Sequence, residues 1–193
     1  VQTVSWYDCV KWCNARSEKE GRTPCYYTST NFIAANIYRA GAVDLSNEWV
    51  NWSANGYRLP TEAEWEKAAR GGTPGHRFPW SDTDTITHSN ANYYSSVAYA
   101  YDTSPTRNYH PAFNDGVYPY TSPAGYFAPN GYGLYDMAGN VWEWTWDWHN
   151  GAWYYYAGAT VDDTCGPATG DGRVVRGGGW VNGSAPESRV ARR

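Results

Sequence analysis

The segment from Gly72 to Pro129 constrains the fold more than any other part of the chain. It is rich in Pro, Gly, Asn, Asp, Ser and Thr, with aromatic residues between them, and it shows no sustained period of about 2.0 or 3.6 residues. Bound ions, disulfides or aromatic packing must hold a loop this long, or it is disordered. The aromatic content argues against disorder. We therefore expect a fold with little regular secondary structure.

The apolar residues of the chain are aromatic more often than aliphatic. Its 193 residues include 12 Trp and 18 Tyr but only four Phe and one Met. Indole N–H and phenol O–H groups need hydrogen-bond partners when they are buried, so we expect an irregular core threaded by polar contacts. A chain of this length suits a single domain, since domains typically have about 100 to 200 residues.

Two helices are the clearest regular elements in the sequence. Ser5 can cap the first helix, with Asp8 three residues later, and Gly21 is its natural end. The second helix begins with the capping box Thr61–Glu64 and ends at Gly71–Gly72.

Two short strands are predicted late in the chain, at Val141–Trp148 and Arg173–Arg176. Alternation along the first strand places four indoles on one face, those of Trp142, Trp144, Trp146 and Trp148. A buried sheet face is one interpretation of this row. A surface on which a carbohydrate or base stacks is the other.

The charge balance excludes some classes of partner. There are 15 basic and 19 acidic side chains, for a net charge of −4, and the acidic residues are scattered. This pattern indicates no nucleic-acid partner and no anionic membrane surface. No apolar run approaches the roughly 20 residues of a membrane span. Val1–Asp8 lacks the features of a signal peptide, which leaves a removed leader open.

Cysteine and histidine spacing indicates no catalytic nucleophile or histidine metal centre. The four cysteines, Cys9, Cys13, Cys25 and Cys165, allow three disulfide pairings or four buried thiols. Cys9 and Cys13 fall on the inward face of the first helix, where apolar burial favours packing over reactivity. No metal-binding spacing links the four histidines, which are His76, His88, His110 and His149.

Two loops place acidic or amide side chains close to glycine turns. Calcium accepts carboxylate and main-chain oxygens at about 2.3 to 2.6 Å, so such loops are candidate ligands. One set consists of Asp136, Gly139, Val141 and Glu143. The other consists of Asn92, Tyr93, Asp115 and Val117. Asp and Asn beside Gly are also common turn formers, and spacing alone leaves both interpretations open.

Four motifs occur in a fixed order, at Val4–Asp8, Gly56–Gly72, Asn130–Trp144 and Arg173–Trp180. Together they resemble the formylglycine-generating enzyme (sulfatase-modifying factor) family over almost the whole chain. The resemblance implies an α+β fold: a variant of the C-type lectin fold with two main helices, short antiparallel strands and little regular secondary structure. It also implies two structural calcium ions, one at each residue set named above.

The resemblance further implies that residues 1–193 form one domain lacking the family's N-terminal and extreme C-terminal segments. Family domains begin well before Val4 and continue past Arg193. We therefore expect the chain to be a core fragment of a longer protein, or to receive edge strands from other segments.

One departure from the family pattern bears on function. Enzymes of the family bind copper through two cysteines, spaced five apart, after the Gly-Gly turn, and use it to convert a substrate cysteine into formylglycine. Here Asn182 and Glu187 stand at the matching positions, and Cys165 lies before the turn. Copper(I) prefers soft sulfur ligands, so copper is not an expected cofactor.

Three functions follow from these observations. The first is a non-catalytic, calcium-stabilised binding module, extracellular or periplasmic, for an unknown protein, peptide or carbohydrate. Its predicted contact surface comprises Trp180, Asn182, Ser184, Glu187 and Ser188. The second is an oxidoreductase of the sulfatase-modifying-factor type that uses other ligands, such as Cys165 or a histidine. The third is a structural domain of a surface assembly.

Overall fold

The computed structural model describes residues 3–181 and 185–193. It contains helix α1 (Trp6–Lys19), helix α2 (Glu62–Arg70), and strands β1 (Glu143–Trp148) and β2 (Arg173–Arg176). The two strands form a two-stranded antiparallel sheet. Short 3-10 helices lie at Ala34–Asn36, Asn47–Trp49, Trp153–Tyr155 and Ala157–Thr160. The predicted α+β class and the scarcity of regular structure are confirmed.

The helix boundaries follow the signals in the sequence. The Ser5 hydroxyl accepts a hydrogen bond from the Asp8 amide at 3.2 Å, and the Asp8 carboxylate accepts one from the Ser5 amide at 3.1 Å. This reciprocal pair is the predicted capping box. Gly21 follows the helix in the left-handed region, with φ of +68°. Helix α2 buries Trp65 and Ala69 as expected, and it also buries Glu62.

The chain divides into two compact units. The first comprises Val1–Thr61 and Trp144–Arg173, and the second comprises Glu62–Glu143 and Val174–Arg193. The single-domain organisation stays a prediction. The hydrophobic core of the first unit is formed by residues of α1, the following loops and β1, namely Trp6, Val10, Cys13, Cys25, Tyr26, Tyr38, Leu45, Val50 and Trp146.

An arginine lies among the tryptophans of the first unit. The Arg173 guanidinium is 3.8 Å from the ring centroid of Trp6 and 3.8 Å from that of Trp148. It donates hydrogen bonds to the carbonyls of Trp146, at 2.6 Å, and Leu45, at 3.2 Å. Burial lowers the pKa of Arg173 to about 10. Cation–π contacts and carbonyl acceptors thus offset part of the desolvation of this charge.

The row of tryptophans is a packed face at its centre. Trp146 is 1 % exposed, stacks on Tyr26 with 5.3 Å between ring centroids, and meets Trp52 edge-on at 5.8 Å. Thr145 and Asp147, on the opposite face of β1, are also buried. The buried-face interpretation is therefore confirmed for Trp146, and the ring is not available to a stacking ligand.

A buried carboxylate organises part of the irregular segment in the second unit. Asp102 is 4 % exposed and accepts hydrogen bonds from the hydroxyls of Tyr93, at 2.7 Å, and Ser95, at 2.9 Å. The Ser96 amide donates to its second oxygen at 2.7 Å, and Arg107 lies 3.2 Å away. Aromatic packing adds to this hub, because Phe78 and Tyr93 belong to the core cluster of the same unit. The aromatic residues thus help to order the segment, as predicted.

The four cysteines are free thiols, of which Cys13 and Cys25 are buried and Cys9 and Cys165 are only partly buried. Burial raises the pKa of Cys13 to about 12 and also raises that of Cys9, which agrees with packed rather than reactive sulfurs. Within residues 3–181 and 185–193, neither helix has the length and apolar content that crossing a membrane requires.

Candidate functional site

The loop from Asp136 to Asn140 is a tight turn that carries the first predicted calcium ligands. Asp136, Gly139 and Asn140 all have positive φ, at 56°, 76° and 65°. A Cβ atom at Gly139 would lie 2.4 Å from the carbonyl oxygen of Asn92, so only glycine permits this approach. The Gly139 amide donates to the carbonyl of Gly177 at 2.7 Å. The turn is thereby fixed from both sides.

Two carboxylates accompany this turn. One oxygen of Asp136 accepts a hydrogen bond from the Gly125 amide at 2.7 Å, whereas the other oxygen is buried and has no hydrogen-bond partner among the described residues. Glu143 accepts a 2.6 Å hydrogen bond from the Trp65 indole. Burial raises the pKa of Glu143, the Trp65 hydrogen bond opposes that shift, and the nearby Asp136 carboxylate adds to it.

These features fit a cation. A buried carboxylate oxygen without a donor costs free energy, and two neighbouring carboxylates repel each other unless a positive charge lies between them. A cavity of about 20 Å³, room for one water-sized guest, borders Asp136 but is not lined by Gly139, Val141 or Glu143. Among the described residues no group of three or more His, Cys, Asp or Glu side chains converges. The predicted site does not need such a group, because it combines two carboxylates with main-chain carbonyls.

The second predicted ligand set is distributed differently. The Asn92 carbonyl accepts from the Asn140 amide at 2.7 Å, and its side-chain amide donates to the carbonyl of Tyr120 at 2.8 Å, so Asn92 joins the turn described above. The Tyr93 carbonyl lies 3.1 Å from a ring nitrogen of His88. Asp115 and Val117 form an exposed turn, in which the Val117 amide donates to the Asp115 carboxylate at 2.9 Å. An ion shared by all four residues stays a prediction.

The predicted contact surface begins at an aromatic cluster. Trp180 is 8 % exposed, and its ring centroid lies 5.2 Å from that of Tyr120, 5.5 Å from that of Tyr118 and 6.0 Å from that of Tyr109. Tyr118 stacks on Tyr120 with 4.6 Å between centroids and is 65 % exposed. The predicted surface included Trp180 and nearby tyrosines, and the structure identifies these tyrosines as residues of the irregular segment. Trp180 is therefore covered by tyrosines, and Tyr118 is the exposed ring of the cluster.

The rest of the predicted surface divides into three cases. Asn182 and Ser184 lie outside the described residues. Glu187 pairs with Arg192, with N–O distances of 2.9 and 3.2 Å. The prediction needs correction at Ser188, which is fully buried. A Cβ atom at Gly178 would lie about 3 Å from the Glu187–Ser188 peptide, and this close approach of the two backbones covers the small serine side chain.

Two buried histidines form a separate pair. His88 and His110 have ring centroids 4.9 Å apart, and a ring nitrogen of His110 lies 2.7 Å from the His88 carbonyl. Burial lowers the pKa of both rings. Their partners are a threonine hydroxyl, two carbonyls and the amide of Ala112, so the pair packs in the structure as neutral rings.

Comparison with known proteins identifies relatives of the whole chain. The model of the sulfatase-modifying factor enzyme 1-like domain matches residues 1–193. The chain is 36% identical over 197 residues to the chaperone protein LppX of Paenibacillus barcinonensis, covering 94% of this chain and 59% of that protein. It is 43% identical over 135 residues to a formylglycine-generating enzyme of Thermomonospora curvata, covering 69% of this chain and 41% of the enzyme. The chain thus spans about half the length of these curated relatives.

A solved structure is similar over the full length of the chain. Treponema denticola variable protein 1 superposes with a TM-score of 0.68 at 32% sequence identity, and the match covers 100% of this chain and 64% of that one. The order and spacing of the sequence motifs therefore correspond to a shared fold.

Proposed function

The chain belongs to the sulfatase-modifying factor enzyme 1-like domain family, and from that premise we propose that it is a non-catalytic, calcium-stabilised binding module. The ligand would be a protein, peptide or carbohydrate. Its contact surface would centre on Tyr118, the exposed ring of the cluster around Trp180, and continue through Asn182 and Ser184 to Glu187. We also propose that the fold is the family's variant of the C-type lectin fold.

The observation that carries this proposal is the side chain at position 187. The family resemblance places a copper-binding cysteine there, with its partner at Asn182. Glu187 has a hard carboxylate that is paired with Arg192, and an amide stands at position 182. Neither residue supplies the soft thiolate that copper(I) prefers. Among the relatives, one is named a chaperone and another a variable protein, and neither name describes an oxidation.

Calcium would stabilise the fold and would take no part in a reaction. Asp136 and Glu143 would supply the carboxylates, and Gly139 and Val141 would supply carbonyls. The ion would give the buried Asp136 oxygen a partner and offset the repulsion between the two acids. With only two carboxylates the site would be of the extracellular class, whose dissociation constants are about 0.1 to 1 mM. A site of this affinity would suit an extracellular or periplasmic location.

The exposed aromatic ring favours ligands with flat apolar faces. Tyr118 stacks with one face on Tyr120 and remains largely exposed. Tyrosine supplies a large contact area at low conformational cost, together with a hydroxyl for polar contacts. Because the chain spans about half of its curated relatives, other segments of a longer chain are further proposed partners.

An oxygen-uptake assay tests the proposal. The purified protein is titrated with copper and incubated with a cysteine-containing peptide and a reductant, with the Thermomonospora curvata enzyme as positive control. We expect no oxygen uptake above the copper-only background and no change in peptide mass. Turnover to a formylglycine peptide would overturn the binding-module proposal.

The second candidate is an oxidoreductase with other metal ligands, which the 43% identity to a formylglycine-generating enzyme favours. Elemental analysis of the purified protein separates the two. One equivalent of copper or iron supports the oxidoreductase, whereas calcium alone supports the binding module. The third candidate, a structural domain of a surface assembly, would show calcium but no saturable ligand.

A further inference from the structure

A cavity in the second unit is lined almost entirely by arginine. Its volume is about 260 Å³, close to the lower limit of roughly 300 Å³ for small-molecule pockets. The lining residues are Arg77, Arg189, Ala191, Arg192 and Arg193. Four guanidinium groups around one small space repel one another, so the arrangement needs negative charge nearby.

Carboxylates of the protein supply part of that charge. Ion pairs join Arg77 to Asp84 at 3.1 Å, Arg192 to Glu187 at 2.9 Å and Arg193 to Glu62 at 3.0 Å. Glu62 is shared, because it also pairs with the buried Arg176 at 3.3 Å. The second partner of Arg176 is Glu66, which pairs with Arg70 as well. These carboxylates are therefore divided among more cations than there are acids.

The ion pairs around the cavity contain more arginines than carboxylates. Five guanidinium groups share four carboxylates, and Arg189 adds a sixth that has no carboxylate partner among the described residues. The four lining arginines and their three carboxylate partners thus carry one more positive than negative charge, in a chain whose net charge is −4. A local excess of positive charge in a protein of negative net charge favours the binding of anions at this place.

The lining groups are also held in place. The Val190 amide donates to the Arg77 carbonyl at 2.9 Å, which ties the C-terminal segment to the opposite wall. The Arg77 guanidinium lies over the Tyr101 ring, 4.6 Å from its centroid. The Arg189 Nε donates to the Pro186 carbonyl at 3.0 Å, which fixes the orientation of that guanidinium. A ligand would meet side chains that have already lost much of their rotamer freedom, which lowers the entropic cost of binding.

We propose that this cavity binds a tetrahedral oxyanion group, a phosphate or sulfate, either as the free ion or at the end of a larger molecule. The arginine fork matches the oxygen spacing of such groups and can bind them with two parallel hydrogen bonds. The negative charge of such a group would balance the local excess. The cavity is also larger than the roughly 30 Å³ that one water occupies, so it can hold a tetrahedral anion with hydration water.

Calorimetric titration of the purified protein tests the proposal. Inorganic phosphate and phenyl phosphate are the probes for the free and the esterified source, at pH 7.5 and with ionic strength held constant by sodium chloride. We expect saturable binding at one site for at least one of the two, and the tighter probe identifies the source. Phenol, which lacks the anion, should not bind. The absence of saturation with both phosphates would overturn the proposal.

Charge-neutralising variants locate the site. Arg189→Gln should weaken phosphate binding by at least about tenfold, because a charge-assisted hydrogen bond is lost. The matched control is Arg39→Gln, which removes the same charge from an exposed ion pair with Glu18 in the other unit and should leave the affinity unchanged. If Arg189→Gln does not fold, Arg192→Gln replaces it, since that side chain is more solvent-exposed.

Two results would contradict the assignment. Equal loss of affinity in Arg189→Gln and Arg39→Gln would show a general charge effect rather than a site. Binding of a long polyanion such as heparin, sensitive to Arg189→Gln, with no binding of phenyl phosphate, would show a face for charged polymers instead of a pocket for a small oxyanion.

Discussion

The effect of Glu143→Gln on stability should change sign between chelator and saturating calcium, and this reversal tests the proposed ion site. In the presence of a chelator, the buried carboxylate of Glu143 lies near that of Asp136 in the wild-type protein, and burial raises the pKa of Glu143. Glutamine removes the charge but keeps the shape and an oxygen that can accept from the Trp65 indole. We therefore expect the variant to be at least as stable as the wild type when no calcium is present.

With calcium the order should reverse. An ion that binds only the folded state at 100 times its dissociation constant adds about 2.7 kcal/mol to the free energy of unfolding. For a chain of this size about 1 kcal/mol corresponds to roughly 2 to 4 °C in melting temperature. The wild type should therefore gain about 5 to 11 °C between chelator and saturating calcium. Glu143→Gln, which loses one of two carboxylate ligands, should gain about half of that or less.

Differential scanning calorimetry in chelator and across a calcium titration measures both effects. Glu48→Gln is the matched control, because it removes the same charge from an exposed residue of the other unit, and its calcium response should equal that of the wild type. Magnesium at the same ionic strength controls for charge screening. A wild-type melting curve that is identical in calcium and chelator would refute both ion sites, and an unaltered calcium response in Glu143→Gln would refute the role of this residue.

Three further predictions concern buried polar groups. Burial lowers the pKa of His88 and His110 below 6.5, so the unfolded chain takes up protons first. The free energy of unfolding, measured by urea titration in Glu143→Gln to remove the opposite contribution of the raised Glu143 pKa, should be flat between about pH 7 and 8 and fall as the pH drops below about 6.5; a rise on acidification in this variant would contradict the prediction. Arg173→Lys keeps the positive charge but loses the planar contact with two indole rings and one hydrogen bond to a carbonyl. Thermal unfolding should show that the free energy of unfolding falls by about 2 kcal/mol. An unchanged melting temperature would show that the contact with the indoles does not stabilise the fold. Asp102→Asn replaces a charged acceptor of several hydrogen bonds by a neutral one, and it should lower the free energy of unfolding by about 2 to 3 kcal/mol. Amide hydrogen exchange should become faster in the segment around residues 86–108. An equal increase in exchange rate across the whole chain would argue against a local role of Asp102.

Local signals predicted the elements of the fold well. The Ser5–Asp8 capping box and Gly21 gave the ends of helix α1 because a cap is a contact between residues three or four apart. The strand at Arg173–Arg176 and the burial of Trp146 also followed from alternation. Each of these features depends on neighbours in the sequence, so the sequence alone contains the information that determines it.

Long-range polar contacts could not be predicted in the same way. Glu62 lies in the first turn of a helix, where an acidic residue is ordinarily solvated and favoured by the helix dipole. It is buried because Arg176, more than a hundred residues later, has its guanidinium in the same core. Asp102 is a comparable case, since no periodicity distinguishes a hub carboxylate from a turn-forming one. Only the tertiary structure specifies such pairs.

Ser188 shows the same limit at the proposed binding surface, and it narrows where a ligand can lie. The resemblance to the family made the segment from Trp180 to Ser188 the candidate surface. In the structure its burial alternates, with Ser188 and Val190 inward and Glu187 and Arg189 half-buried. The inward residues pack under Gly178 and beside Trp65, so they belong to the framework. A ligand of this segment would contact its outward residues, so substitution of Glu187 should change ligand affinity more than stability. Ser188→Leu would overpack a buried position, so we expect it to lower the stability of the unit.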